Sequence, residues 1–213
     1  LDEKKRGAVV KLRRSARRQM ELIDDLLSLA RADSGSIERD ATRFDLVEFV
    51  RGTVESVEQV RGTKDVELMF EPAEERVEIE TDRKLLGHIL TNLLTNAVKF
   101  TSEGGHVRVR IRRREDEVGL EVEDDGIGIA PEMQETILQP FRQVDGSASR
   151  RYGGAGIGLS VVKRLLDVLE GELDLESTPD EGSRFVVWLP TERGSSAGAE
   201  TNGSLEASDV ATE

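Results

Sequence analysis

The amino-acid sequence predicts an α+β fold, a sandwich in which helices cover one face of a sheet, preceded by one long helix. Three observations predict this class. Residues 1–32 repeat apolar side chains at helical spacing, several later segments alternate apolar and polar residues as strands do, and two further stretches return to the helical period. The 213 residues suffice for one ordinary domain with an appendage, or for two small domains.

The first element is predicted as one helix over about residues 1–32, because this segment has no proline and no glycine after Gly7. Its apolar stripe comprises Val9, Leu12, Ala16, Ile23, Leu26 and Ala30. A helix with so apolar a side needs a partner. Since no later segment offers a second long helix, we expect the partner to be another subunit or a helix that precedes this sequence. We assign residues 1–34 to this unit.

A second domain is expected over residues 42–191, after the break at residues 32–36. Asp45 is positioned to cap its first helix, with Glu48 completing a capping-box pattern. The later elements are predicted as strands at 66–70, 77–80, 107–112, 118–123, 173–176 and 184–189, and helices at 82–100 and 157–169. Residues 192–213 are rich in Ser, Ala, Gly, Thr and Glu, and we expect them to be disordered.

Composition excludes several kinds of function. The chain has no cysteine and two histidines, so disulfides, thiol nucleophiles, Cys-ligated zinc and chemistry that needs several imidazoles are excluded. The formal net charge of −13 disfavours nucleic acid as a partner. Charges interrupt every apolar run and no signal-peptide pattern opens the chain, so we expect a cytoplasmic location.

The helix at 82–100 carries a second line of side chains beside its buried stripe. His88, Asn92, Asn96 and Lys99 share this line at the border between core and solvent. A polar margin of an amphipathic helix is one interpretation. Two asparagines one turn apart, however, are poor helix formers without an evident structural role. A carboxamide oxygen suits Mg²⁺, and a lysine one turn on could meet phosphates that the metal bridges.

A second motif, Asp124-x-Gly126-x-Gly128, follows a predicted strand. It would place a carboxylate at a sheet edge beside backbone that a flat ligand can approach closely. An aspartate there can accept a hydrogen bond from an exocyclic amine such as that of adenine. An ordinary Asp-Gly turn is the alternative interpretation.

A third motif, Gly154-x-Gly156-x-Gly158, leads into the helix at 157–169. Glycines before a helix present N–H groups and the positive end of the helix dipole to an anion. A flexible hinge is the alternative, and the spacing matches neither the Walker nor the dinucleotide-binding pattern. The polar, glycine- and serine-bearing segment 142–152, after Pro140 and Phe141, is typical of a lid over a nucleotide.

Taken in order, these motifs resemble the conserved boxes of sensor histidine kinases. The matching segments are Asn-Leu-Leu-Thr-Asn-Ala-Val-Lys-Phe-Thr at 92–101, Asp-x-Gly-x-Gly at 124–128, Leu-Gln-Pro-Phe at 138–141, Gly-x-Gly-x-Gly-Leu at 154–159 and Glu-Gly-Ser-Arg-Phe at 181–185. The resemblance covers about residues 1–190. It implies the Bergerat ATP-binding fold, in which a mixed sheet covered by helices clasps ATP under a mobile lid. The long first helix is similar to the second helix of the dimerisation and phosphoacceptor hairpin.

The resemblance also implies roles for single residues. Asn96 would be the Mg²⁺ ligand, with Asn92 assisting at the phosphates of ATP and Lys99 contacting them. Asp124 would recognise adenine by accepting a hydrogen bond from its exocyclic amine. The remaining nucleotide-binding residues would be Gly126, Gly128, Phe141, Gly154, Gly156, Gly158 and Leu159. The implied partners are a response regulator receiver domain and a second copy of the chain, paired through the helical hairpin.

The sequence departs from the family pattern in two respects. Phe100 stands where related kinases often have Tyr, which should matter little, and the other departure is more important. The phosphate-accepting histidine belongs on the first helix of the hairpin, within a His-Glu-x-x-Thr-Pro-like stretch that is missing here, and neither His88 nor His106 matches it. The chain therefore resembles a kinase cut off upstream, and it begins with Leu1 as an excised piece would. We expect it to bind ATP without phosphorylating itself, and any membrane span to belong to the missing part.

Three alternatives remain. ATPases of the wider superfamily place a glutamate where Asn92 stands, as a base that activates water. An amide cannot act as that base, so transfer to a positioned nucleophile is favoured. Serine kinases of the anti-sigma type usually lack the long helix, and a non-catalytic nucleotide-binding module would not need every expected residue type.

Overall fold

The computed structural model describes residues 3–60, 64–142 and 156–191. Its helices are α1 (Glu3–Asp33), α2 (Leu46–Val60), α3 (Arg83–Phe100), α4 (Pro131–Gln134) and α5 (Gly158–Leu169), with a 3₁₀ turn at Thr136–Leu138. Its strands are β1 (Ala41–Asp45), β2 (Val66–Glu71), β3 (Glu78–Asp82), β4 (Gly105–Arg114), β5 (Glu117–Asp124), β6 (Glu172–Thr178) and β7 (Gly182–Pro190). The tail predicted at 192–213 lies outside the described residues.

Five strands form one mixed sheet in the order β2-β4-β5-β7-β6. β2 runs parallel to β4, and the other neighbours are antiparallel. One face of the sheet is apolar and packs with the helices into a single core, which includes Val107, Val109, Leu120, Val122 and Val187. The other face carries the alternating charged residues of the strands. The predicted α+β class, with helices on one face, is confirmed.

Helix α3 begins and ends where its sequence indicates. The Asp82 carboxylate accepts hydrogen bonds from the N–H groups of Lys84 (2.9 Å) and Leu85 (3.0 Å), which caps the helix. At the other end, Thr101 donates to the Ala97 carbonyl from its backbone (2.9 Å) and its hydroxyl (2.8 Å). The buried face comprises Leu86, Ile89, Leu90, Leu93, Leu94, Ala97 and Val98. Since each fully buried aliphatic side chain contributes about 1.5–3 kcal/mol, this face fixes the helix on the sheet.

The β1 strand was not predicted. It pairs antiparallel with β3, so that Phe44 lies opposite Ile79 in a separate two-stranded sheet. The following helix α2 begins as expected, because the Asp45 carboxylate accepts from the N–H of Val47 at 3.0 Å. The same oxygen also accepts from the N–H of Val77 at 3.2 Å, which ties the start of α2 to the strand region.

The long helix α1 packs in part against the second domain of the same chain. Leu22 and Leu29 pack against the core of the second domain, and Asp25 lies 3.1 Å from His88 of α3. The expectation that its partner is another subunit or a preceding helix is therefore incomplete, because part of the helix packs on its own chain. Among the described side chains of α1, six large apolar ones remain 42–69% exposed, namely Val9, Leu12, Met20, Ile23, Leu26 and Leu27. Among the helices of the described segments, none has the length and hydropathy needed to span a bilayer.

Candidate functional site

The polar edge of α3 meets the N-terminus of α5. The contact is so close that a Cβ added at Gly158 would stand 2.8 Å from Asn92 Oδ1 and 3.8 Å from Asn96 Nδ2. Glycine leaves the Asn92 amide undisturbed here, whereas any Cβ would force that amide or the helix end to shift. Two of the three predicted motifs are thus brought together at one place.

The two asparagines of α3 are half-buried at this junction. Asn92 Nδ2 donates to the His88 carbonyl one turn earlier, at 3.2 Å. This bond orients the amide so that its oxygen lies on the Gly158 side. The Lys99 ammonium, one turn after Asn96, lies 4.4 Å from the centroid of the Phe100 ring.

The N-terminus of α5 offers backbone donors. Its first residue is preceded by Ile157, whose side chain makes no capping hydrogen bond, and the first helical bond runs from Val161 N–H to the Ile157 carbonyl at 3.0 Å. The N–H groups of residues 158–160 therefore have no acceptor within the helix. Gly156, with φ of +70°, turns the chain into the helix, and Leu159 packs on the core. Such a terminus favours an anion.

Asp124 ends β5 as a buried carboxylate with 8% of its surface exposed. Its Oδ1 accepts the N–H of Gly126 at 2.9 Å. Burial raises the pKa of this carboxyl to about 6, and the charges of Asp125 and Glu123 add to the rise. Backbone hydrogen bonds from Gly126 and Ser183 oppose it. A carboxylate desolvated in this way is typical of functional sites.

The loop after Asp124 is joined to the end of α3. The N–H of Ile127 donates to the Phe100 carbonyl at 3.3 Å, and a Cβ at Gly126 would stand 2.7 Å from the same oxygen. Gly128 has φ of +62°, and a Cβ there would collide with the Thr178 carbonyl. The second motif therefore lies against the C-terminal end of the helix that carries Asn96 and Lys99.

Phe141 marks the start of the predicted lid segment. It is 65% exposed and has φ of +62°, and its N–H donates to the Gly156 carbonyl at 2.9 Å. The two ends of segment 142–155 are thus joined beside α5. Gly154 and most of the predicted lid lie outside the described residues.

These residues fit a magnesium-bound nucleotide. The uncapped α5 terminus suits phosphates, the amide oxygens suit a hard cation, and the buried Asp124 suits an amine donor. In the part of the chain that the structure describes, no three His, Cys, Asp or Glu side chains gather as a metal site. A divalent cation would therefore depend on the amides together with the oxygens of the nucleotide.

One supporting residue was missed from the sequence. The Lys64 ammonium donates to the carbonyls of Val98 (2.7 Å) and Lys99 (2.8 Å) and so caps the end of α3. Burial lowers the pKa of Lys64, and the Glu103 carboxylate offsets part of this effect. A lysine before a strand gives no local signal of this role, because its acceptors lie 34 and 35 residues later.

Comparisons with known proteins agree with this geometry. The family model described as "Histidine kinase-, DNA gyrase B-, and HSP90-like ATPase" matches residues 81–193, a little over half of the chain. The circadian input-output histidine kinase CikA of Synechococcus elongatus is 35% identical over 192 residues, which are 89% of this chain and 26% of CikA. The chain thus spans about a quarter of the length of that relative.

Solved structures give the same result. Full-length ShkA in complex with AMPPNP superposes with a TM-score of 0.76 at 29% identity, over 89% of this chain and 39% of ShkA. The histidine kinase ThkA, solved with the response regulator TrrA, has a TM-score of 0.68 at 22% identity, over 90% of this chain and 52% of that one. This second likeness supports the fold alone. The chain therefore belongs to the family of histidine kinase-, DNA gyrase B- and HSP90-like ATPases, and it contains the ATP-binding catalytic domain of a histidine kinase.

Proposed function

We propose that this domain binds Mg·ATP between the polar edge of α3, the loop at 124–128 and the N-terminus of α5. It transfers the γ-phosphoryl group to a histidine on a dimerisation helix, from which a response regulator receives it. The single observation that carries the proposal is the approach of Gly158 to Asn92, which brings uncapped helix N–H groups beside two amides. Helix N–H groups suit phosphates, and amide oxygens suit a hard cation.

The adenine end of the nucleotide is assigned to the loop after β5. Asp124 accepts a hydrogen bond from the exocyclic amine of adenine, and its burial strengthens that bond. Gly126 and Gly128 let the loop lie close to the Phe100 and Thr178 carbonyls, where an added Cβ would collide, so backbone forms this wall of the proposed pocket. We assign Phe141 and Leu159 to the border of the same pocket, because both lie next to the α5 terminus.

The phosphates are assigned to the junction of α3 and α5. The N–H groups around Gly154, Gly156 and Gly158 bind them, Asn92 and Lys99 assist, and Asn96 holds Mg²⁺. When bound, Mg²⁺ neutralises charge on the phosphate oxygens. The role of the chain is to orient the γ-phosphoryl group and to exclude water. The acceptor imidazole nitrogen bonds to the γ-phosphorus, the bond from that phosphorus to the bridging oxygen breaks, and ADP leaves.

The acceptor histidine is proposed to come from a helix outside this sequence. His88 faces Asp25, and His106 faces Asp125 and Glu67, so both rings already have partners. The exposed apolar side chains of α1 support a helical hairpin and a homodimer as the source of the acceptor. ThkA is a histidine kinase of similar fold, and its structure contains the response regulator TrrA. A receiver domain is therefore the proposed recipient.

Hydrolysis of ATP is the less favoured function. It needs a base at position 92 to activate water, and the amide of Asn92 instead bonds to the His88 carbonyl and faces Gly158. The long α1 helix also argues against a serine kinase of the anti-sigma type. Because ATP is supplied in the cytoplasm, we propose that location, with any membrane anchor in other segments of the full-length protein.

Phosphoryl transfer can be tested in trans. The 213-residue chain is mixed with Mg·ATP labelled on the γ-phosphate and with a separate helical hairpin that bears an acceptor histidine. We expect acid-labile label on the hairpin and none on a hairpin whose histidine is replaced by alanine. Stoichiometric label on His88 or His106 of the chain itself would contradict the proposal. Steady release of free phosphate, with no labelled hairpin, would favour the ATPase.

A further inference from the structure

A row of polar side chains crosses the sheet beside the nucleotide-binding loop. Ser177 of β6 lies opposite Ser183 of β7, and Ser183 lies opposite Asp124 of β5. Directly opposite residues of neighbouring strands point to the same face, with Cβ atoms about 4.5–5.5 Å apart. Ser183 and Asp124 are each only 8% exposed. Ser183 belongs to the Glu-Gly-Ser-Arg-Phe segment, to which the proposed function gives no role.

The Ser177 hydroxyl has all of its hydrogen-bonding capacity in use. It donates to the Gly182 carbonyl at 2.8 Å and accepts the Ile129 N–H at 2.8 Å. Its oxygen also lies 3.0 Å from the hydroxyl oxygen of Ser183. A hydroxyl has one proton and two lone pairs. Since a carbonyl can only accept, the proton of Ser177 is committed to Gly182, and the proton of the third bond comes from Ser183.

This arrangement fixes the polarity of the Ser183 hydroxyl. With its single proton directed at Ser177, the Ser183 oxygen can offer only lone pairs to a ligand. The neighbouring Asp124 carboxylate, when ionised, is also an acceptor. Two acceptors side by side match the exocyclic amine of adenine, which has two N–H donors. They do not match a purine with a carbonyl oxygen in place of the amine, because acceptor would then face acceptor.

Ser177 also fastens the nucleotide-binding loop. Gln134 Nε2 donates to the Ile129 carbonyl at 3.3 Å and to the Ser177 carbonyl at 2.9 Å. Ile129 is therefore joined to Ser177 directly through its N–H and by way of Gln134 through its carbonyl. The Asp180 N–H, in the turn after β6, donates to the Ile127 carbonyl at 2.9 Å. Loss of these bonds would weaken every nucleotide that uses this loop.

We propose that Ser177 is a positioning residue for base selection: its hydroxyl accepts a hydrogen bond from Ser183, so that Ser183 and Asp124 together accept from an aminopurine and reject an oxopurine. This inference rests on the proposed role of Asp124 in binding adenine. Ser177 acts through Ser183, since its own proton and both lone pairs are used within the protein. Its effect on base selection is separable from its effect on the loop, because a loosened loop weakens both kinds of purine alike.

The test measures the affinity of the 213-residue chain for ADP and for IDP by calorimetry at about pH 7.5, without Mg²⁺. IDP carries a carbonyl oxygen, with a proton on the neighbouring ring nitrogen, where ADP carries the amine. We expect the wild type to favour ADP about ten- to a hundredfold. Ser177→Ala should reduce this ratio about two- to fivefold, because the freed Ser183 proton can turn to Asp124 or to the carbonyl of the base.

Two further variants separate the hydroxyl from the rest of the side chain. Ser177→Thr retains a hydroxyl and should keep the wild-type ratio. Ser183→Ala serves should Ser177→Ala fold poorly. It leaves the Ser177 bonds to Ile129 and Gly182 in place but removes the second acceptor, so it should reduce the ratio to a similar extent. In the double variant the two effects should coincide rather than add, because both act through one hydroxyl.

Ser56→Ala is the matched control. Its hydroxyl also donates to a carbonyl, that of Gly52 at 2.8 Å, but it lies exposed on α2. It should retain both affinities and their ratio.

The outcomes are distinguishable. Wild-type ratios in both Ser177→Ala and Ser183→Ala would overturn this inference and leave the proposed function intact, even if both nucleotides bind more weakly, because Ser177 would then only fasten the loop. Equal binding of ADP and IDP by the wild type would overturn it together with the adenine role of Asp124. Absence of ADP binding by the folded wild type would reject the proposed nucleotide site, and the inference with it.

Discussion

Arg112 on β4 holds the carboxylate of Glu121 on β5 with two hydrogen bonds, 3.0 Å from Nε and 2.8 Å from Nη2. Glu121 lies on the face of the sheet that none of the helices in the described segments covers, yet only 1% of its side chain is exposed. Arg110 and Arg184 approach the same carboxylate, at 3.0 and 3.3 Å. Three guanidinium groups from two flanking strands therefore replace water around one buried charge.

Glu121→Ala should destabilise the fold by about 2 to 3 kcal/mol, since it leaves three arginines without their shared partner. The value lies below that for a fully buried pair because the arginines remain partly exposed. Chemical denaturation at neutral pH measures the loss. The control is Glu74→Ala, which breaks the exposed pair with Arg113 and should change little. Equal losses of unfolding free energy from the two substitutions would contradict the importance of burial.

The same carboxylate should make stability depend on acid. Burial, the largest effect, raises the pKa of Glu121, but hydrogen bonds from Arg112, Arg110 and Arg184 outweigh it and lower the pKa. Because the pKa of Glu121 is lower in the folded state than in the unfolded state, its ionised carboxylate stabilises the fold at pH values above the unfolded pKa. This stabilisation is lost as pH falls through the folded-state pKa. The difference in unfolding free energy between wild type and Glu121→Gln should therefore shrink below about pH 4. A constant difference would contradict this reasoning.

Asp124→Asn should weaken ATP and ADP to the same extent, because both contain the adenine that Asp124 is proposed to bind. A charged acceptor is replaced by an amide, so we expect a loss of about tenfold or more. Calorimetry with each nucleotide measures it. Asp116→Asn, in the exposed turn at the far end of the β4–β5 hairpin, is the control. An unchanged ADP affinity in Asp124→Asn would reject the adenine assignment.

The same substitution should stabilise the fold at neutral pH. The pKa of Asp124 is raised from 3.8 to about 6 in the folded state. The protonated side chain is therefore compatible with the fold at low pH, and the free energy of unfolding decreases as the side chain ionises between about pH 4 and 6. Asparagine carries no charge and avoids this loss, which is about 2 to 3 kcal/mol. Thermal unfolding should show a gain at pH 7.5 and little gain near pH 4. A destabilised variant at both pH values would contradict this account.

Much of the fold could be predicted from local patterns. The apolar stripe and the Asp82 cap predicted α3, and alternation predicted the β4–β5 hairpin, because these signals extend over many residues. The β1 strand has five residues, and its pairing with β3 depends on a distant segment. The packing of α1 on its own domain was missed for a similar reason, since Asp25 and His88 are 63 residues apart.

Site residues that belong to sequence motifs could be predicted, whereas residues whose environment depends on tertiary contacts could not. Glycines at 126, 128 and 158 were identified from spacing, and each stands where a side chain would collide with a neighbour. The burial of Glu121 was not predicted, because a glutamate that alternates with valines is normally exposed to solvent. Arginines on the two flanking strands shield the Glu121 carboxylate from solvent. Only the register of the strands brings these arginines next to Glu121.

Gly158→Ala tests the junction of α3 and α5. The new methyl group would meet Asn92 Oδ1 at 2.8 Å, so either the amide or the helix end must shift. We expect weaker binding of Mg·ATP by about tenfold, with a smaller effect on adenosine, which has no phosphates to contact this junction. Competition calorimetry with the two ligands measures the difference.

Gly52→Ala is the matched control for this substitution. Gly52 lies inside α2 with nothing within 4 Å of an added Cβ, so alanine should stabilise that helix by about 0.5–1 kcal/mol and leave binding unchanged. Equal losses of ATP and adenosine affinity in Gly158→Ala would mean that the junction acts on the whole domain rather than on the phosphates.

Asn96→Ala should abolish Mg²⁺-dependent phosphoryl transfer to the supplied hairpin, because the proposed metal ligand is lost while the remaining site is intact. Affinity for ADP without Mg²⁺ should change less than about threefold, since that complex does not use the metal. Thr95→Ala is the control: Thr95 is an exposed neighbour whose hydroxyl donates to the Thr91 and Asn92 carbonyls of its own helix. Transfer at the wild-type rate in Asn96→Ala, measured at several Mg²⁺ concentrations, would reject the metal assignment even if ATP still binds at this site.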